Sequence, residues 1–369
     1  MIYLDHAATT PLCEAAKKAI IEHLDDFGNP SSVHELGRQA RVLIEDARER
    51  IAKCINAEPD EIYFTSGGSE ANTWALSQYN CNSIAPLFEH HSVKPDIYLP
   101  IHNIRHPVPS CDSGVVDIKL YTDVCSWTTN IISCMYVNNE LGTIQPVKEL
   151  AEIAHNKKIW FHTDGVQALS HLKIDVKDIN CDMLSASGHK FGAPKGIGFL
   201  YVKKDGPTLD PLIYGGKQEQ MLRGGTENVL GIISMAAALE DAVQHMEERN
   251  THIKRLRDKM LDKLLQIPGS HLNGSLKNRV HGNINIRFDG VSGARLVTLC
   301  SLYGVYISSG SACNEGIATP SHVLKAIGLS DDEALSSVRI TIGYENTEEE
   351  IDKAANIITS LVERIRDGI

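Results

Sequence analysis

The sequence predicts an α/β fold with a large, mostly parallel sheet flanked by helices, together with a smaller α+β domain. Two observations predict it. Short apolar runs alternate with helical stretches over the first two thirds of the chain, a pattern typical of a parallel sheet. After a long helical region this alternation gives way to a mixture of strand-like runs and amphipathic helices. The 369 residues are enough for two domains of unequal size.

The first part of the chain contains an amphipathic helix followed by five candidate strands. In the helix, from Val33 to Cys54, apolar residues recur every three or four positions. The strands are the apolar runs "IYFTSG" near 62, "IISCMYV" near 131, "IWFHTD" near 159, "MLSAS" near 183 and "GFLYVK" near 198. A further helix is predicted over Val147–Asn156. In such sheets, ligand sites lie beyond the carboxyl ends of the strands.

A long helical region, from about Val229 to Gln266 with a break near Asn250, leads into the smaller domain. In that domain "NINIRF" and "VRITIGY" are predicted strands, and residues 292–303 form a predicted helix. A last helix starts at Thr347 and carries a single apolar stripe. The stripe consists of Ile351, Ala355, Ile358, Val362 and Ile365.

The change in pattern after the long helical region sets the predicted domain boundary. We assign residues 13–254 to the large domain. Residues 255–369, together with the first twelve residues of the chain, form the predicted small domain (1–12 and 255–369).

Composition argues against several classes of function. The formal net charge of −11 disfavours nucleic acid as the main partner, because phosphate binding needs a basic surface. None of the nine cysteines forms a C-x-x-C pair, and no histidines show metal-ligand spacing, so we expect no disulfide framework and no metal site. The N-terminus lacks a signal-peptide pattern, and no apolar run is long enough to cross a bilayer. We expect a cytoplasmic protein without a membrane partner.

The motif "SASGHKFGAPKGIG" follows a predicted strand and contains a lysine between glycines. Lys190 is either a solvated surface lysine or a lysine that forms a Schiff base, since partial desolvation lowers the pKa of an amine and frees it to react. In the second interpretation Ser187 and His189 meet an anionic group of a cofactor.

Two more motifs at strand ends extend this interpretation. In "HTDGVQ", Asp164 either caps the next helix or keeps a pyridine nitrogen protonated. "FTSGGSEAN" is either an ordinary strand-to-helix connection or a phosphate cradle in which Gly68 and Ser69 lie closest to the phosphate. Together, the lysine, the aspartate and the cradle predict a site for pyridoxal phosphate.

The sequence resembles the NifS/IscS-like cysteine desulfurases, a branch of the class V aminotransferase family within the fold-type I pyridoxal phosphate enzymes. The resemblance runs nearly end to end and rests on motifs that occur in one order. These are "YLDHAATTP", "GNPSSVHELG", "FTSGGSEAN", "EHHSV", "MYVNNELGTIQP", "HTDGVQ", "SASGHKFGAPKGIG", "RGGTEN" and "SSGSACNEG".

The resemblance implies a role for each residue around the cofactor ring. Lys190 would hold pyridoxal phosphate covalently, Asp164 would pair with its ring nitrogen, and Gln167 would hydrogen-bond its phenolic oxygen. His90 would stack on the ring and help to move protons, with His91 as the competing candidate.

The resemblance also implies ligands for the cofactor phosphate from two subunits. Gly68, Ser69, Ser187 and His189 would bind it within one subunit. Thr226 of "RGGTEN" would reach the phosphate in the partner subunit, so the family pattern implies a homodimer with shared sites.

For the substrate, the resemblance implies that Arg339 of "SSVRITIG" grips the carboxylate and that Asn139 lies near both this carboxylate and the cofactor. From the residue alone, a surface ion pair remains open for Arg339. A planar guanidinium suits a carboxylate, and such a charge-assisted pair contributes roughly 1.5–3 kcal/mol.

Cys313 lies among small and turn-forming residues in "SSGSACNEG", a setting that does not suggest a packed thiol. The resemblance implies that L-cysteine is converted to L-alanine while its sulfur becomes a persulfide on Cys313, which needs an accessible thiolate. Alternatives are a selenocysteine lyase or an aminotransferase-like enzyme, and, from another class, an inactive sulfur carrier or interaction protein. The expected partner is a protein sulfur acceptor, with iron–sulfur cluster assembly, tRNA thiolation, DNA modification and a cofactor pathway all open.

The sequence departs from the family pattern in two places. The chain diverges between about Ser77 and Cys134, a segment that includes His90. Tyr344 stands where many members have a second arginine, which leaves any subsidiary anion contact there open.

Overall fold

The computed structural model describes residues 1–77, 83–93, 104–108, 111–126, 129–309, 313–314 and 317–368, with the backbone alone at 104–108, 313–314 and 317–318. The strands, in chain order, are β1 (Ile2–Tyr3), β2 (Ile62–Thr65), β3 (Ser83–Pro86), β4 (Ile104–Val108), β5 (Ile131–Ser133), β6 (Trp160–Asp164), β7 (Met183–Ser187), β8 (Gly198–Val202), β9 (Ser270–Leu272), β10 (Asn283–Phe288), β11 (Val305–Tyr306), β12 (Ser308–Ser309), β13 (Cys313–Asn314), β14 (Ile317–Ala318) and β15 (Ser337–Thr341).

The α-helices, in chain order, are α1 (Glu14–Glu22), α2 (Glu35–Cys54), α3 (Gly68–Ser77), α4 (Ile118–Val124), α5 (Val147–Asn156), α6 (Val176–Ile179), α7 (Val229–Gln244), α8 (Met246–Leu264), α9 (Gly293–Leu302), α10 (His322–Ala326), α11 (Asp331–Leu335) and α12 (Glu348–Arg366). Short 3-10 turns occur at Pro59–Glu61, Gly188–Lys190 and Glu219–Met221.

The central sheet has the strand order β2-β8-β7-β6-β5-β3-β4 in the described chain. The strands from β7 to β4 run parallel, while β8 is antiparallel to both of its neighbours. Consequently β2, β5, β6 and β7 all point the same way, and their carboxyl ends meet at one edge of the sheet. This mostly parallel sheet confirms the predicted fold class, and all five strands predicted for this part of the chain are present.

The register of the central sheet brings the predicted motifs together. Both Thr65 at the end of β2 and Ser187 at the end of β7 pair with Gly198 of β8. A side chain at Gly198 would lie 2.7 Å from the Cα of Gly67, so glycine at this position lets the turn after β2 approach the sheet closely. The register therefore sets the glycine turn beside Ser187.

The second sheet is antiparallel, with the order β12-β15-β10-β9. Helices α8, α9 and α12 contribute to the apolar core that covers it, and Ile2 and Leu4 from the start of the chain belong to the same core. The predicted last helix is confirmed, because Thr347 caps α12 in a capping box with Glu350. All five residues of its predicted apolar stripe are buried.

The long helical region breaks at His245, whereas the sequence predicted a break near Asn250. His245 has φ −104° and ψ 9° and joins α7 to α8. Asn250 lies inside α8, where its side-chain amide donates to the carbonyl of His171. The polar side chain at 250 therefore makes a tertiary contact instead of ending the helix.

The two apolar cores do not divide at one point in the chain. Ile253, just before the predicted boundary, packs in the core of the second sheet. Val323 and Leu324 of α10, which follow the boundary by many residues, pack in the core of the central sheet. The division into 13–254 and 1–12 with 255–369 stays a prediction.

None of the helices in the described part of the chain combines the length and the apolar character that spanning a membrane requires.

Candidate active site

A cavity of about 300 Å³ lies at the edge where the parallel strands of the central sheet end. Most of the predicted site residues line it. They are Gly68, Ser69, His90, Asn139, Asp164, Gln167, Ser187, His189, Lys190 and Arg339. Residues that are far apart in the sequence thus line one cavity, whose volume suits a small cofactor with its substrate.

The amine of Lys190 lies inside this cavity, at the end of the 3-10 turn that follows β7. Its Nζ donates to the carbonyl oxygens of Ala7 and Ala8 at 2.6 and 2.8 Å. Burial lowers the pKa of the Lys190 amine to about 8, with the positive charge of Arg339 acting in the same direction. Roughly a tenth of this amine is therefore neutral and nucleophilic at pH 7, far more than for an ordinary lysine.

Asp164 ends β6 and is 5% exposed. Its Oδ1 accepts from the backbone N–H of Val166 at 2.9 Å, within a turn. The next helix is α6, and Asp175 caps it instead of Asp164. Its Oδ2 accepts from the side-chain amide of Asn72 in α3 at 2.6 Å. The carboxylate is thus held in one orientation on the cavity wall. The helix-capping role that the sequence left open is wrong, because a turn follows β6 at this point, and the role at a pyridine nitrogen stays a prediction.

His90 is connected to Asp164 by a short hydrogen-bond network. The amide Nδ2 of Asn72 also donates to Ser92 Oγ at 2.9 Å, and Ser92 Oγ lies 2.7 Å from His90 Nδ1. Because the backbone N–H of Ser92 donates to His90 Nδ1, a neutral ring carries its proton on Nε2. Burial lowers the pKa of the His90 imidazole, so the neutral ring predominates at pH 7.

The neighbouring His91 takes part in a different contact. Its ring centroid is 4.6 Å from that of His322 in α10. His91 does not line the cavity, whereas His90 does. The assignment of the ring-stacking role to His90 stays a prediction, and this difference in position supports it.

The start of α3, after the turn that follows β2, also lines the cavity. The backbone N–H groups in the first turn of α3 have no intrahelical acceptor, as at any helix N-terminus, and Gly68 and Ser69 belong to this turn. A Cβ at Gly68 would lie 2.6 Å from Val166 Cγ2 and 3.5 Å from Ser187 Cβ. Glycine at 68 therefore preserves space between these side chains.

Ser187, at the end of β7, and His189, in the 3-10 turn that follows it, also line the cavity. Ser187 is 5% exposed. His189 Nδ1 lies 3.1 Å from Thr9 Oγ1, and burial, together with the charges of Lys190 and Lys195, lowers the pKa of its imidazole to about 4. His189 is therefore neutral at pH 7 and can contribute a hydrogen bond to an anion but no full charge.

Arg339 enters the cavity from β15 of the second sheet and is 8% exposed. Its Nη1 donates to the backbone carbonyl of Asn139 at 2.9 Å, and its Nη2 donates to Asp5 Oδ1 at 2.8 Å. Arg339 Nε and Asn139 Oδ1 are buried without a hydrogen-bond partner. These polar atoms are available to a ligand in the cavity.

Thr226 does not line this cavity and lies on the surface between β8 and α7. Ion pairs hold the chain before and after Thr226. Arg223 pairs with Glu70 of α3 at 2.9 Å, and Glu227 pairs with Arg41 of α2 at 2.6 Å. Within one chain, Thr226 is thus fixed in an outward position.

The predicted persulfide carrier falls partly outside the described residues. The backbone of Cys313 lies in β13, which pairs antiparallel with β14, but its side chain is outside the description. The nearest described strand on its N-terminal side is β12, whose Ser308 pairs directly with Arg339. Five residues of extended chain span at most roughly 18 Å, so the backbone of Cys313 lies within that distance of the strand that faces Arg339.

The sequence did not predict the roles of Asn72, Ser92 and the N-terminal segment. Asn72 is in the same quoted motif as Gly68 and Ser69, four and three residues further along α3, which puts all three on one helix face. That spacing could have identified it. Lys190 Nζ donates to the main-chain carbonyls of Ala7 and Ala8, and a contact with main-chain atoms of a distant segment leaves no sequence signal.

Comparison with known proteins agrees with this geometry. The family model described as aminotransferase class-V matches residues 2–354. A cysteine desulfurase IscS from Methanosarcina thermophila is 39% identical, over 99% of this chain and 93% of its own length. The chain belongs to the NifS/IscS-like cysteine desulfurases. The predicted family membership is thereby confirmed.

Solved structures of this family share the whole architecture. A NifS-like protein superposes with a TM-score of 0.90 at 32% identity, and the match covers 98% of this chain and 99% of that protein. A structure described as SspA in complex with cysteine gives a TM-score of 0.81 at 34% identity, covering 94% of this chain and 100% of that one. The predicted fold-type I architecture of the cysteine desulfurases is therefore confirmed.

The residues present fit pyridoxal phosphate, the cofactor on which this family depends. Lys190 supplies a desolvated amine, and Asp164 supplies a buried, oriented carboxylate. The space kept by Gly68 next to Ser187 suits a phosphate at the start of α3. Each of the groups that the cofactor requires thus has a counterpart in this cavity.

Proposed function

We propose that this protein is a cysteine desulfurase that uses pyridoxal phosphate to convert L-cysteine to L-alanine and transfers the sulfur to Cys313. The observation that carries the proposal is the single cavity lined by the Lys190 amine, Asp164 and Arg339. One aligned structure is described as a complex with cysteine, which supports an amino acid of this type as the substrate.

Pyridoxal phosphate, when bound, withdraws electrons from the substrate through its protonated pyridine ring. Lys190 would supply the amine for attachment, and the Asp164 carboxylate, held by Asn72, would keep a proton on the pyridine nitrogen. Gln167 lines the same cavity, with its side-chain amide donating to the Ala7 carbonyl, and it would hydrogen-bond the phenolic oxygen. Gly68, Ser69, Ser187 and His189 would bind the phosphate.

The remaining residues act on the substrate. Arg339 binds its carboxylate through N–H groups not used by Asn139 or Asp5, and Asn139 lines the same cavity, where its unpaired Oδ1 can accept a hydrogen bond from the substrate amine. His90 would stack on the ring, and it can hold or pass a proton at Nε2 while Ser92 fixes Nδ1. The Cys313 thiolate attacks the substrate sulfur. The bond from that sulfur to carbon breaks and the carbon gains a proton, leaving a persulfide on the protein and L-alanine as the product.

Uptake of pyridoxal phosphate by the cofactor-free protein is expected to depend on pH with a midpoint near pH 8. Attachment requires the neutral amine of Lys190, whose pKa lies at about 8 instead of the ordinary 10.5. The uptake rate should therefore rise as the pH passes through 8 and level off above it. Stopped-flow absorbance from pH 6 to pH 10.5 measures this rate. A rate that keeps rising up to pH 10.5 would show that the amine is not desolvated.

Product analysis separates the proposed reaction from its alternatives. With L-cysteine and a reductant, the proposal predicts L-alanine and sulfide in equal amounts. An aminotransferase-like enzyme would instead yield a keto acid, and a selenocysteine lyase would cleave only selenocysteine. An inactive sulfur carrier would remain colourless and take up no pyridoxal phosphate.

The protein is proposed to act as a homodimer with shared sites, in which Thr226 reaches the phosphate held by the partner subunit. Large apolar side chains are exposed on the elements around Thr226, which supports a covered surface there. They are Phe27, Val33, Val42, Tyr214 and Met221. Three contacts connect their segments to the chain around Thr226. Arg41, the residue before Val42, pairs with Glu227 and donates to the Pro30 carbonyl, and a β-bridge joins Ile213 to Arg223.

Subunit mixing tests the shared site. Lys190→Ala and Thr226→Val should each be impaired alone, the latter by about ten- to a hundredfold in cofactor affinity, as expected for loss of a charge-assisted hydrogen bond. In a mixed dimer, the Thr226→Val subunit keeps Lys190 and receives Thr226 from its partner. Mixing should therefore restore one competent site per dimer at limiting cofactor. If mixed dimers bind no better than Thr226→Val alone, Thr226 acts within its own chain or not at all.

We also infer a reducing, cytoplasmic location and a protein sulfur acceptor. The cysteines whose side chains are described are free, which supports a reducing compartment. Iron–sulfur cluster assembly is one route for the sulfur, as the name IscS of the relatives suggests. Transfer of labelled sulfur from the loaded enzyme to proteins of the host would identify the acceptor.

A further inference from the structure

Arg339 is already engaged by a carboxylate of its own chain. A guanidinium has five N–H groups. One on Nη1 is used by the Asn139 carbonyl and one on Nη2 by Asp5, whose Oδ1 is 2.8 Å away. Nε–H and one N–H on each terminal nitrogen remain. A substrate carboxylate can thus bind Arg339 only as a second anion beside Asp5.

Asp5 can influence how Arg339 binds a carboxylate without contacting the ligand itself. It does not line the cavity, and its side chain is 21% exposed, behind the guanidinium of Arg339. An isolated β-bridge joins Asp5 to Thr341, two residues beyond Arg339 in β15. The backbone on both sides of the ion pair is therefore fixed by the same strand.

Asp5 also belongs to the segment that contacts the Lys190 amine, since Ala7 and Ala8 follow it by two and three residues. Glu140 is a second carboxylate that interacts electrostatically with Arg339, and it is a buried residue whose Oε2 accepts from Ser321. Of these two carboxylates, only Asp5 forms an ion pair with Arg339 in the described chain.

We propose that Asp5 is a positioning residue that orients Arg339 and weakens its hold on the substrate carboxylate. The negative charge of Asp5 neutralises part of the guanidinium charge, and it repels a second carboxylate at the same cation. The hydrogen bond from Nη2 to Asp5 keeps the remaining N–H groups directed towards the cavity.

The ion pair between Asp5 and Arg339 affects how fast the product is released. L-Cysteine and L-alanine carry the same carboxylate, so a stronger grip on that group would hold substrate and product equally. Uniform binding of this kind lowers KM but does not raise kcat, and it slows release of the product. Asp5 therefore favours release of alanine at the expense of affinity for cysteine.

The inference rests on the proposed function, and two substitutions separate charge from position. Asp5→Asn removes the charge but keeps an oxygen that can accept from Nη2, whereas Asp5→Ala removes both. With the protein loaded with pyridoxal phosphate, the dissociation constant of L-alanine is measured by absorbance titration. Asp5→Asn is expected to bind L-alanine about tenfold more tightly than the unsubstituted protein. Asp5→Ala should bind more weakly than Asp5→Asn, because Arg339 loses its orienting partner.

Two controls make the result specific to the carboxylate. Cysteamine has the amine and the thiol of cysteine without the carboxylate, so its affinity should be the same in Asp5→Asn and in the unsubstituted protein. Asp60→Asn removes a carboxylate that pairs with Lys204 on the surface, and it should leave L-alanine binding unchanged. Under steady-state conditions, Asp5→Asn should lower KM for L-cysteine without raising kcat.

An unchanged or weaker affinity of Asp5→Asn for L-alanine, in a variant that still takes up the cofactor and unfolds at the same temperature, would overturn the inference. An equal gain in cysteamine affinity would overturn it as well. If the unsubstituted protein takes up no pyridoxal phosphate, the proposed function itself fails, which is a different and recognisable outcome.

Discussion

Replacement of Lys190 by alanine is expected to abolish desulfurase activity and covalent attachment of pyridoxal phosphate. The amine of Lys190 has a pKa of about 8, so it is partly neutral near pH 7 and can form the covalent link to the cofactor. Its removal eliminates that link. We expect a decrease in kcat of roughly 10⁴-fold or more, comparable with the loss of a nucleophile in other enzymes. Alanine production from L-cysteine and visible absorbance after dialysis measure the two effects.

The stability of this variant distinguishes a chemical role from a structural one. Because burial disfavours the charged amine, its removal should not lower the free energy of unfolding, and the melting temperature of the cofactor-free protein should be unchanged or higher. Lys195, an exposed lysine in the same motif, provides the matched control. Lys195→Ala should retain activity and cofactor. Comparable losses in the two variants would contradict the role of Lys190.

Replacement of Cys313 by serine is expected to abolish persulfide formation while leaving the cofactor site intact. A hydroxyl is a much poorer nucleophile towards sulfur than a thiolate, so sulfur release should fall by on the order of a hundredfold or more. Binding of pyridoxal phosphate and the absorbance change on adding L-cysteine should persist, because Lys190, Asp164 and Arg339 are unaltered.

Cys111 offers a control for cysteine substitution in general, since it is free and exposed. Cys111→Ser should release sulfur at the rate of the unsubstituted protein. Normal sulfur release by Cys313→Ser would remove the persulfide from the proposed mechanism and would favour a cleavage reaction that needs no protein thiol.

The sequence predicted the central sheet well where strands are continuous apolar runs. β2, β6, β7 and β8 are buried on both faces by helices, and this makes them recognisable without an alternating pattern. β3 and β4 were not predicted. Both are short and contain proline, and β4 is at the edge of the sheet, where a missing N–H is tolerated.

The candidate site was predicted to the extent that each residue follows a strand end in a recognisable motif. Lys190, Asp164 and the turn at Gly68 fulfil this condition, because the carboxyl ends of parallel strands converge. The pairing of Asp5 with Arg339 does not, since these residues are separated by most of the chain. Contacts of this kind arise from the packing of β15 beside the N-terminus and are visible only in the folded protein.

The most direct test is one turnover of the loaded enzyme with an equal amount of L-cysteine, quenched in acid and examined by mass spectrometry. If Lys190 forms the Schiff base and Cys313 takes up the substrate sulfur, we expect one L-alanine for each sulfur atom added to the protein. That sulfur should lie on the peptide containing Cys313. Alanine that forms while this peptide keeps its original mass, or a keto acid in place of alanine, would contradict the account.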